Sequence, residues 1–127
     1  MITVKTSYYA KAARGVKPSS KLVVVSNSYP SWFTAEFELM KNLAPVWADV
    51  EAYKNDDISF RELIGRYKET LLSRFESLDY IRDYVFERMN ATDGDEIILL
   101  CWEKDSNKCH RTELANLVFP YEYQGEL

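Results

Sequence analysis

The sequence contains few of the residues that mark several large classes of protein. Its two cysteines are too few for a disulfide scaffold, and only four glycines occur among the 127 residues. No G-x-x-x-x-G-K-[ST] or G-x-G-x-x-G motif is present, so nothing indicates an ATPase or a dinucleotide-binding protein. No apolar run approaches the ~20 residues of a membrane span, and no apolar signal region follows Met1. We therefore expect a cytoplasmic protein without a membrane partner.

The composition is that of a globular domain. Hydrophobic residues make up 46% of the chain and charged residues 28%, a balance that disordered proteins do not have. A chain of this length buries about two-thirds of its unfolded surface, so it needs neither a metal nor a disulfide to fold. Because no repeat or linker divides the sequence, we expect one domain over residues 1–127, a length that suits a bacterial or phage genome.

Positive charge is concentrated at the start of the chain. Five basic residues and no acidic residue lie between Met1 and Ala35, whereas the net charge of the whole chain is −4. Such a segment is either a solvated basic edge or a contact for an anion, nucleic acid included. The negative total argues against indiscriminate DNA binding. The expected partner is an anionic small molecule or a nucleic acid, and no oligomeric state is defined.

Hydrophobic periodicity predicts an α/β fold. Alternating or continuous apolar runs predict strands over 2–10, 22–25 and 96–102, and helical spacing predicts helices over 34–43, 46–53, 59–75, 78–89 and 109–119. Ser59 and Glu62 are spaced as a capping box, and Ser77 can cap the next helix. The tail over 120–127 is expected to be irregular. This order of elements is typical of a small, mostly parallel sheet flanked by helices.

Most of the reactive side chains lie between Cys101 and Arg111. Both cysteines and the only histidine fall within ten positions, across a predicted strand end, a polar loop and a helix start. In open α/β sheets, ligands bind at this place, outside the carboxyl ends of the strands. The N–H groups of a helix N-terminus stabilise negative charge, so we expect the pKa of Cys109 to be lowered.

The neighbouring residues supply further groups that an active site needs. His110 is a titratable group, and Arg111 is a fixed cation suited to phosphate or carboxylate. Glu103 lies on the same strand face as Cys101 and is either an acid/base or a partner that holds Arg111. The candidate catalytic residues are therefore Cys101, Glu103, Cys109, His110 and Arg111.

Structural roles stay open for these residues. Cys101 ends a buried strand, where cysteine is commonly a small hydrophobe, and a buried Arg111–Glu103 salt bridge would explain both charges without catalysis. A metal site is disfavoured, because adjacent Cys109 and His110 are awkward joint ligands and no second ligand pair is present. We expect neither a metal nor a cofactor. A disulfide is not expected in a reducing compartment.

The cluster resembles the signature of a known family. Its pattern is Cys101-x-Glu103, then Cys109-His110-Arg111, then Glu113-Leu114-Ala115. Further agreement comes from Pro30-x-Trp32-Phe33, Leu43-Ala44-Pro45, Tyr53-Lys54 and Tyr67. These segments are similar to the shorter members of domain-of-unknown-function family 488, over about residues 26–118. The resemblance implies an α/β domain with this cluster as its site, and it implies no particular reaction.

Two kinds of function fit these observations. The first is an enzyme-like domain that acts on a phosphorylated or nucleotide-type ligand through the cysteine cluster. The candidate ligand-binding residues are Arg14, Lys17, Trp32 and Tyr67. The alternative is a nucleic-acid-binding or protein-interaction module in which the cluster is structural. Trp32, Trp47 and Trp102 could line a pocket, but the spacing of the aromatic residues favours the core for them.

Overall fold

The computed structural model describes residues 1–127, as a five-stranded sheet with five α-helices. The strands are β1 (Thr3–Tyr8), β2 (Lys21–Val24), β3 (Glu38–Leu39), β4 (Glu96–Cys101) and β5 (Tyr123–Glu126). The helices are α1 (Tyr9–Arg14), α2 (Trp47–Lys54), α3 (Phe60–Arg74), α4 (Leu78–Arg88) and α5 (His110–Val118), with short 3₁₀ turns at Lys41–Leu43 and Ser106–Lys108. None of these helices combines the length and the apolar character that crossing a membrane requires.

All five strands run in the same direction. Their order across the sheet is β3-β2-β4-β1-β5, so β4 lies in the centre between β2 and β1. The register pairs Tyr8 with Cys101 and Val24 with Leu100. Because the strands are parallel, the chain segments that follow β1, β2 and β4 meet at one edge of the sheet. In α/β folds, that edge is where ligands bind.

The sheet is covered on both faces. Helices α3, α4 and α5 pack on one face, against a cluster that includes Val25, Leu99 and Leu114. Helix α1 and the segment over residues 33–39 cover the other face, where Phe33 and Leu100 are buried. This explains the continuous apolar run of β4, since a parallel strand buried on both sides does not alternate with polar residues.

The predicted α/β fold is confirmed, and the sheet is entirely parallel. The predicted helix over 34–43 is wrong, because this segment contains β3, which pairs with β2 at the sheet edge, and a 3₁₀ turn. Its helical spacing has another cause: Phe33 packs on one face of the sheet and Met40 on the other. The predicted first strand is also too long, since the chain turns into α1 at Tyr9.

The prediction of an irregular tail is wrong as well. Residues 123–126 form β5, which pairs with β1 at the opposite edge of the sheet. The hydroxyl of Tyr123 lies 2.6 Å from Oγ1 of Thr6, and the N–H of Leu127 donates to the Thr6 carbonyl over 2.8 Å. Residues of an edge strand need little apolar character, so hydrophobic periodicity did not reveal this strand.

Replacing Ser59 with alanine should lower the free energy of unfolding by about 1 kcal/mol. The predicted capping box is present: Ser59 Oγ accepts from the Glu62 N–H over 3.1 Å, and the Glu62 carboxylate accepts from the Ser59 N–H over 3.3 Å. Denaturant unfolding of Ser59→Ala can be compared with Ser31→Ala, which changes an exposed serine outside any helix. Equal midpoints for the two variants would contradict a stabilising cap.

Candidate functional site

A cavity of about 80 Å³ opens at the carboxyl edge of the sheet. Ser26-Asn27-Ser28 follow β2, Cys101 ends β4, and Cys109 is the N-cap of α5. The cavity lies between these segments and α2, whose residues Trp47, Val50, Tyr53 and Lys54 line it from outside the sheet. Open α/β sheets bind their ligands outside the carboxyl ends of the strands, and the cavity lies there.

Two cysteines and the only histidine meet inside this cavity. Nδ1 of His110 lies 3.7 Å from Sγ of Cys101 and 3.9 Å from Sγ of Cys109. The other ring nitrogen, Nε2, is 2.6 Å from the Val25 carbonyl oxygen, which can only accept, so Nε2 carries a proton and donates. Nδ1 is therefore the ring nitrogen available to the two sulfur atoms. It accepts a hydrogen bond when the ring is neutral and donates one when the ring is protonated.

The two thiols have opposite electrostatic environments. Burial raises the pKa of Cys109, but a hydrogen bond from the Cys101 thiol and the charge of His110 outweigh it, so its pKa lies well below the usual value. Burial and the adjacent Cys109 thiolate raise the pKa of Cys101 well above the usual value. The pair is thus a thiol, Cys101, that donates to a thiolate, Cys109. The direction predicted for the pKa of Cys109 agrees with this, but the cause differs: Cys101 and His110 lower it, and no N–H group of α5 bonds to the Cys109 side chain.

Arg111 is a fully buried residue that ties three parts of the chain together. Its Nη2 and Nε donate to the two carboxylate oxygens of Glu126 over 2.8 and 3.2 Å, and its Nη1 donates to the backbone carbonyl of Glu103. Burial disfavours the charge, but the hydrogen bonds to Glu126 overcome it and raise the pKa of Arg111. The expected salt bridge therefore exists with Glu126 as its carboxylate, and Glu103 takes part only through its backbone.

Glu103 and Tyr67 differ in burial and in their relation to the cavity. The Glu103 side chain is exposed and belongs to the cavity wall. Tyr67 is fully buried, and its hydroxyl donates to the Leu43 carbonyl over 2.6 Å. Its ring packs edge to face with His110, at 5.1 Å between ring centres. Tyr67 thus packs against the imidazole ring and does not line the cavity.

The other three candidate ligand-binding residues lie away from the cavity. Arg14 extends toward the Tyr8 hydroxyl, at 3.4 Å. Lys17 lines a separate groove near the amino end of β2, at the end of the strands opposite to the cavity. Trp32 is exposed and packs on Phe33. The structure thus brings together Cys101, Glu103, Cys109 and His110, and it separates them from the basic segment.

The prediction that the three tryptophans lie in the core is wrong. The exposed fractions of Trp32, Trp47 and Trp102 are 56%, 52% and 48%. Trp102 comes directly after the last buried position of β4, and Trp47 begins α2, a helix without a buried residue. Two of these three side chains, Trp47 and Trp102, line the cavity.

Several residues of the site were not among the candidates. Asn27 follows β2 and donates through Nδ2 to the Pro45 carbonyl over 2.9 Å, which fixes the loop at the cavity wall. A polar triplet directly after an apolar strand was the available signal, because such segments converge in a parallel sheet. Lys108 directly precedes Cys109, and Tyr53-Lys54 belongs to the segments that resemble the family, but neither lysine was singled out as a site residue. Glu126 gave no signal, since only the fold brings β5 to Arg111.

The cluster also has the geometry of a site for one soft divalent cation. The ligand atoms of Cys101, Cys109 and His110 all lie within 4.8 Å of one another. The proton on Nε2 and its bond to Val25 would orient Nδ1 toward a metal, as outer partners do for metal-ligating histidines. Three protein ligands are one fewer than the four of a structural zinc site. Adjacent Cys109 and His110 were expected to be awkward joint ligands, but their ligand atoms lie close enough for both to bind one ion.

The fold and the site together define a class: an α/β protein with a buried cysteine–histidine cluster at the carboxyl edge of a parallel sheet. A family model, DUF488-N3a, described as "Active DUF488-N3 subclade", matches residues 4–120. The chain therefore belongs to the DUF488 family, which confirms the resemblance seen in its sequence. A search of curated proteins and a search of solved structures found no match.

Proposed function

We propose that this protein is an enzyme that acts on a phosphorylated or nucleotide-type small molecule, with Cys109 as its nucleophile. The observation that carries the proposal is the thiolate environment of Cys109 at the wall of a cavity. A thiolate is the reactive form of cysteine, and structural cysteines have no need of a lowered pKa. The description of the matching family model as an active subclade supports the same conclusion.

The neighbouring groups complete a reaction scheme. The Cys109 sulfur gives an electron pair to the electrophilic atom of the substrate, and the bond to the leaving group breaks. Protonated His110 donates its Nδ1 proton to the leaving group. Water then releases the second product from the sulfur and returns a proton to His110. Lys54 and Lys108 in the cavity wall attract the anionic substrate, and Arg111 holds the loop that carries Glu103.

The rate of alkylation of each cysteine against pH tests this proposal. Iodoacetamide reacts with the thiolate, so a lowered pKa should keep Cys109 reactive at pH values well below the free-thiol pKa of ~8.5. As the pH falls, the rate should decrease only when it passes through the lowered pKa. The raised pKa of Cys101 should leave that thiol unreactive up to high pH. Peptide mass spectrometry resolves the two residues.

Two controls make the alkylation result specific. Cys101→Ala removes the hydrogen bond donor, which should shift the pH profile of Cys109 to higher pH. A chelator should leave the rates unchanged; protection of both cysteines that a chelator releases would instead assign the cluster to a metal. Slow alkylation of both cysteines, with or without chelator, would contradict a nucleophile.

The alternative of a nucleic-acid-binding module has less support. Lys5 is paired with Glu96 at 3.1 Å, and Lys21 with Asp95 at 3.5 Å. Lys11 donates to the carbonyl of Leu127. These partners reduce the positive charge that the amino-terminal segment offers to phosphate.

The two cysteines are free, as in proteins of a reducing compartment, and we propose a cytoplasmic location.

A further inference from the structure

The mouth of the cavity is rich in aromatic side chains. Trp47 and Tyr53 of α2 and Trp102 after β4 all line it, and about half of each tryptophan is exposed. Because α2 has no buried residue, packing against the core does not account for a tryptophan there. Aromatic side chains in a cavity wall bind flat rings by stacking.

Trp102 is held in one orientation. Its Nε1 donates to the Ser28 carbonyl over 2.9 Å, and the ring of Tyr9 packs against the indole, at 5.3 Å between ring centres. Tyr9 is itself buried, and its hydroxyl is hydrogen-bonded to Ser26. A ring fixed by two contacts gives up little freedom when a ligand covers its exposed surface, so Trp102 is a preorganised platform.

Positive charge adjoins this aromatic wall. Nζ of Lys54 lies 5.5 Å from the centre of the Trp47 ring, and Lys108 lines the same cavity. Neither lysine takes part in a salt bridge. Glu103 is the only carboxylate of the wall, and the charge of the Cys109 thiolate is offset by that of the adjacent His110, so the two lysines leave an excess of positive charge. An anionic group next to a stacked ring is the combination that these side chains fit.

From these contacts we propose that the ligand is a mononucleotide, with its base stacked on Trp102 and its phosphate held by Lys54 and Lys108. Asn27 also lines the cavity, and its Nδ2 is engaged by the Pro45 carbonyl. The cavity of about 80 Å³ is smaller than the several hundred Å³ typical of a site that encloses its ligand. The base therefore lies at the mouth. This inference rests on the proposed function, because it names the substrate class of the same site.

Isothermal titration calorimetry measures binding of four probes. These are nucleoside 5′-monophosphates, the corresponding nucleosides, ribose 5-phosphate and a short single-stranded oligonucleotide. Stacking of one base on an aromatic ring changes affinity by about 5- to 150-fold, so the monophosphates should bind at least about fivefold more tightly than ribose 5-phosphate. Equal affinity for these two probes would overturn the inference. Much tighter binding of the oligonucleotide would also overturn it, in favour of a nucleic acid.

Matched variants locate the binding site. Trp102→Ala should weaken binding of the monophosphate about tenfold and leave ribose 5-phosphate unchanged. Trp32→Ala removes a tryptophan of similar exposure outside the cavity and should change neither affinity. Lys108→Ala should weaken binding and reduce its dependence on salt, whereas Lys104→Ala, an exposed lysine outside the cavity wall, should not. Equal effects of a variant and its control would contradict the assignment.

Alkylation of Cys109 separates this inference from the proposed function. A bound mononucleotide should slow the alkylation of Cys109 at a concentration that matches its measured affinity. If Cys109 is alkylated rapidly and no nucleotide binds, the ligand inference fails and the thiolate mechanism stands. If nucleotides bind with the predicted Trp102 dependence but Cys109 is alkylated slowly, the proposed mechanism fails and the ligand inference stands.

Discussion

Arg111→Leu is expected to lower the free energy of unfolding by about 3–5 kcal/mol, because it leaves part of a buried ion pair without its partner. The Arg111 side chain is fully buried, whereas Glu126 keeps 30% of its surface exposed. The change also removes the donor from the Glu103 carbonyl and thereby frees the loop between β4 and α5. Thermal or denaturant unfolding measures the loss.

Two further variants show whether burial is the cause. Arg66→Leu removes an exposed pair with Asp49, at 3.2 Å, and should cost less than about 1 kcal/mol. Arg111→Lys keeps the charge but loses the two parallel hydrogen bonds of the guanidinium, so its stability should lie between those of the native protein and Arg111→Leu. A loss for Arg111→Leu as small as that for Arg66→Leu would contradict the structural role.

Tyr67→Ala should be similarly costly, with a loss of about 3–5 kcal/mol, because it opens a cavity among Leu71, Leu114 and their neighbours. It also removes the ring that supports His110. A displaced imidazole would no longer stabilise the Cys109 thiolate, so the alkylation profile of Cys109 should move to higher pH. Unfolding and alkylation are therefore measured on the same variant.

Tyr67→Phe separates the ring from the hydroxyl. It keeps the packing against His110 but leaves the Leu43 carbonyl without its donor, which should cost about 1–3 kcal/mol. Its alkylation profile should match that of the native protein. If Tyr67→Phe moved the profile as far as Tyr67→Ala does, the hydroxyl would be responsible, and the support of His110 by the ring would be contradicted.

The sequence revealed the elements whose stability is local or whose burial is complete. The apolar run over 97–100 predicted β4 because a central parallel strand is covered on both faces. Ser59 and Ser77 predicted two helix starts because caps are local interactions. The short strands β3 and β5 escaped prediction, since each lies at a sheet edge and bonds to a strand that is distant in sequence.

For the site as well, the sequence revealed the residues that are close along the chain and missed those that only the fold brings together. Cys101, Cys109 and His110 were identified because they lie close together along the chain as well as in space. Asn27 and Tyr53 come from segments that only the topology brings to the cavity. The partner of Arg111 was misjudged because Glu103 is nearer in sequence, whereas the direction of the side chain from α5 leads to Glu126 on β5.

The central position of β4 sets the order in which this chain can fold. β1 and β2 make no backbone ladder with each other, because β4 lies between them. During synthesis both strands precede β4, so until residues 96–101 have left the ribosome β1 has no strand to pair with and β2 has only the short β3. Contacts of such large sequence separation slow folding, and unpaired strand edges promote association in the meantime. Cys101 is the last residue of β4, and Cys109 and His110 follow it in the chain. A nascent chain therefore cannot present the assembled thiol cluster before β4 and the start of α5 have been synthesised and have packed together.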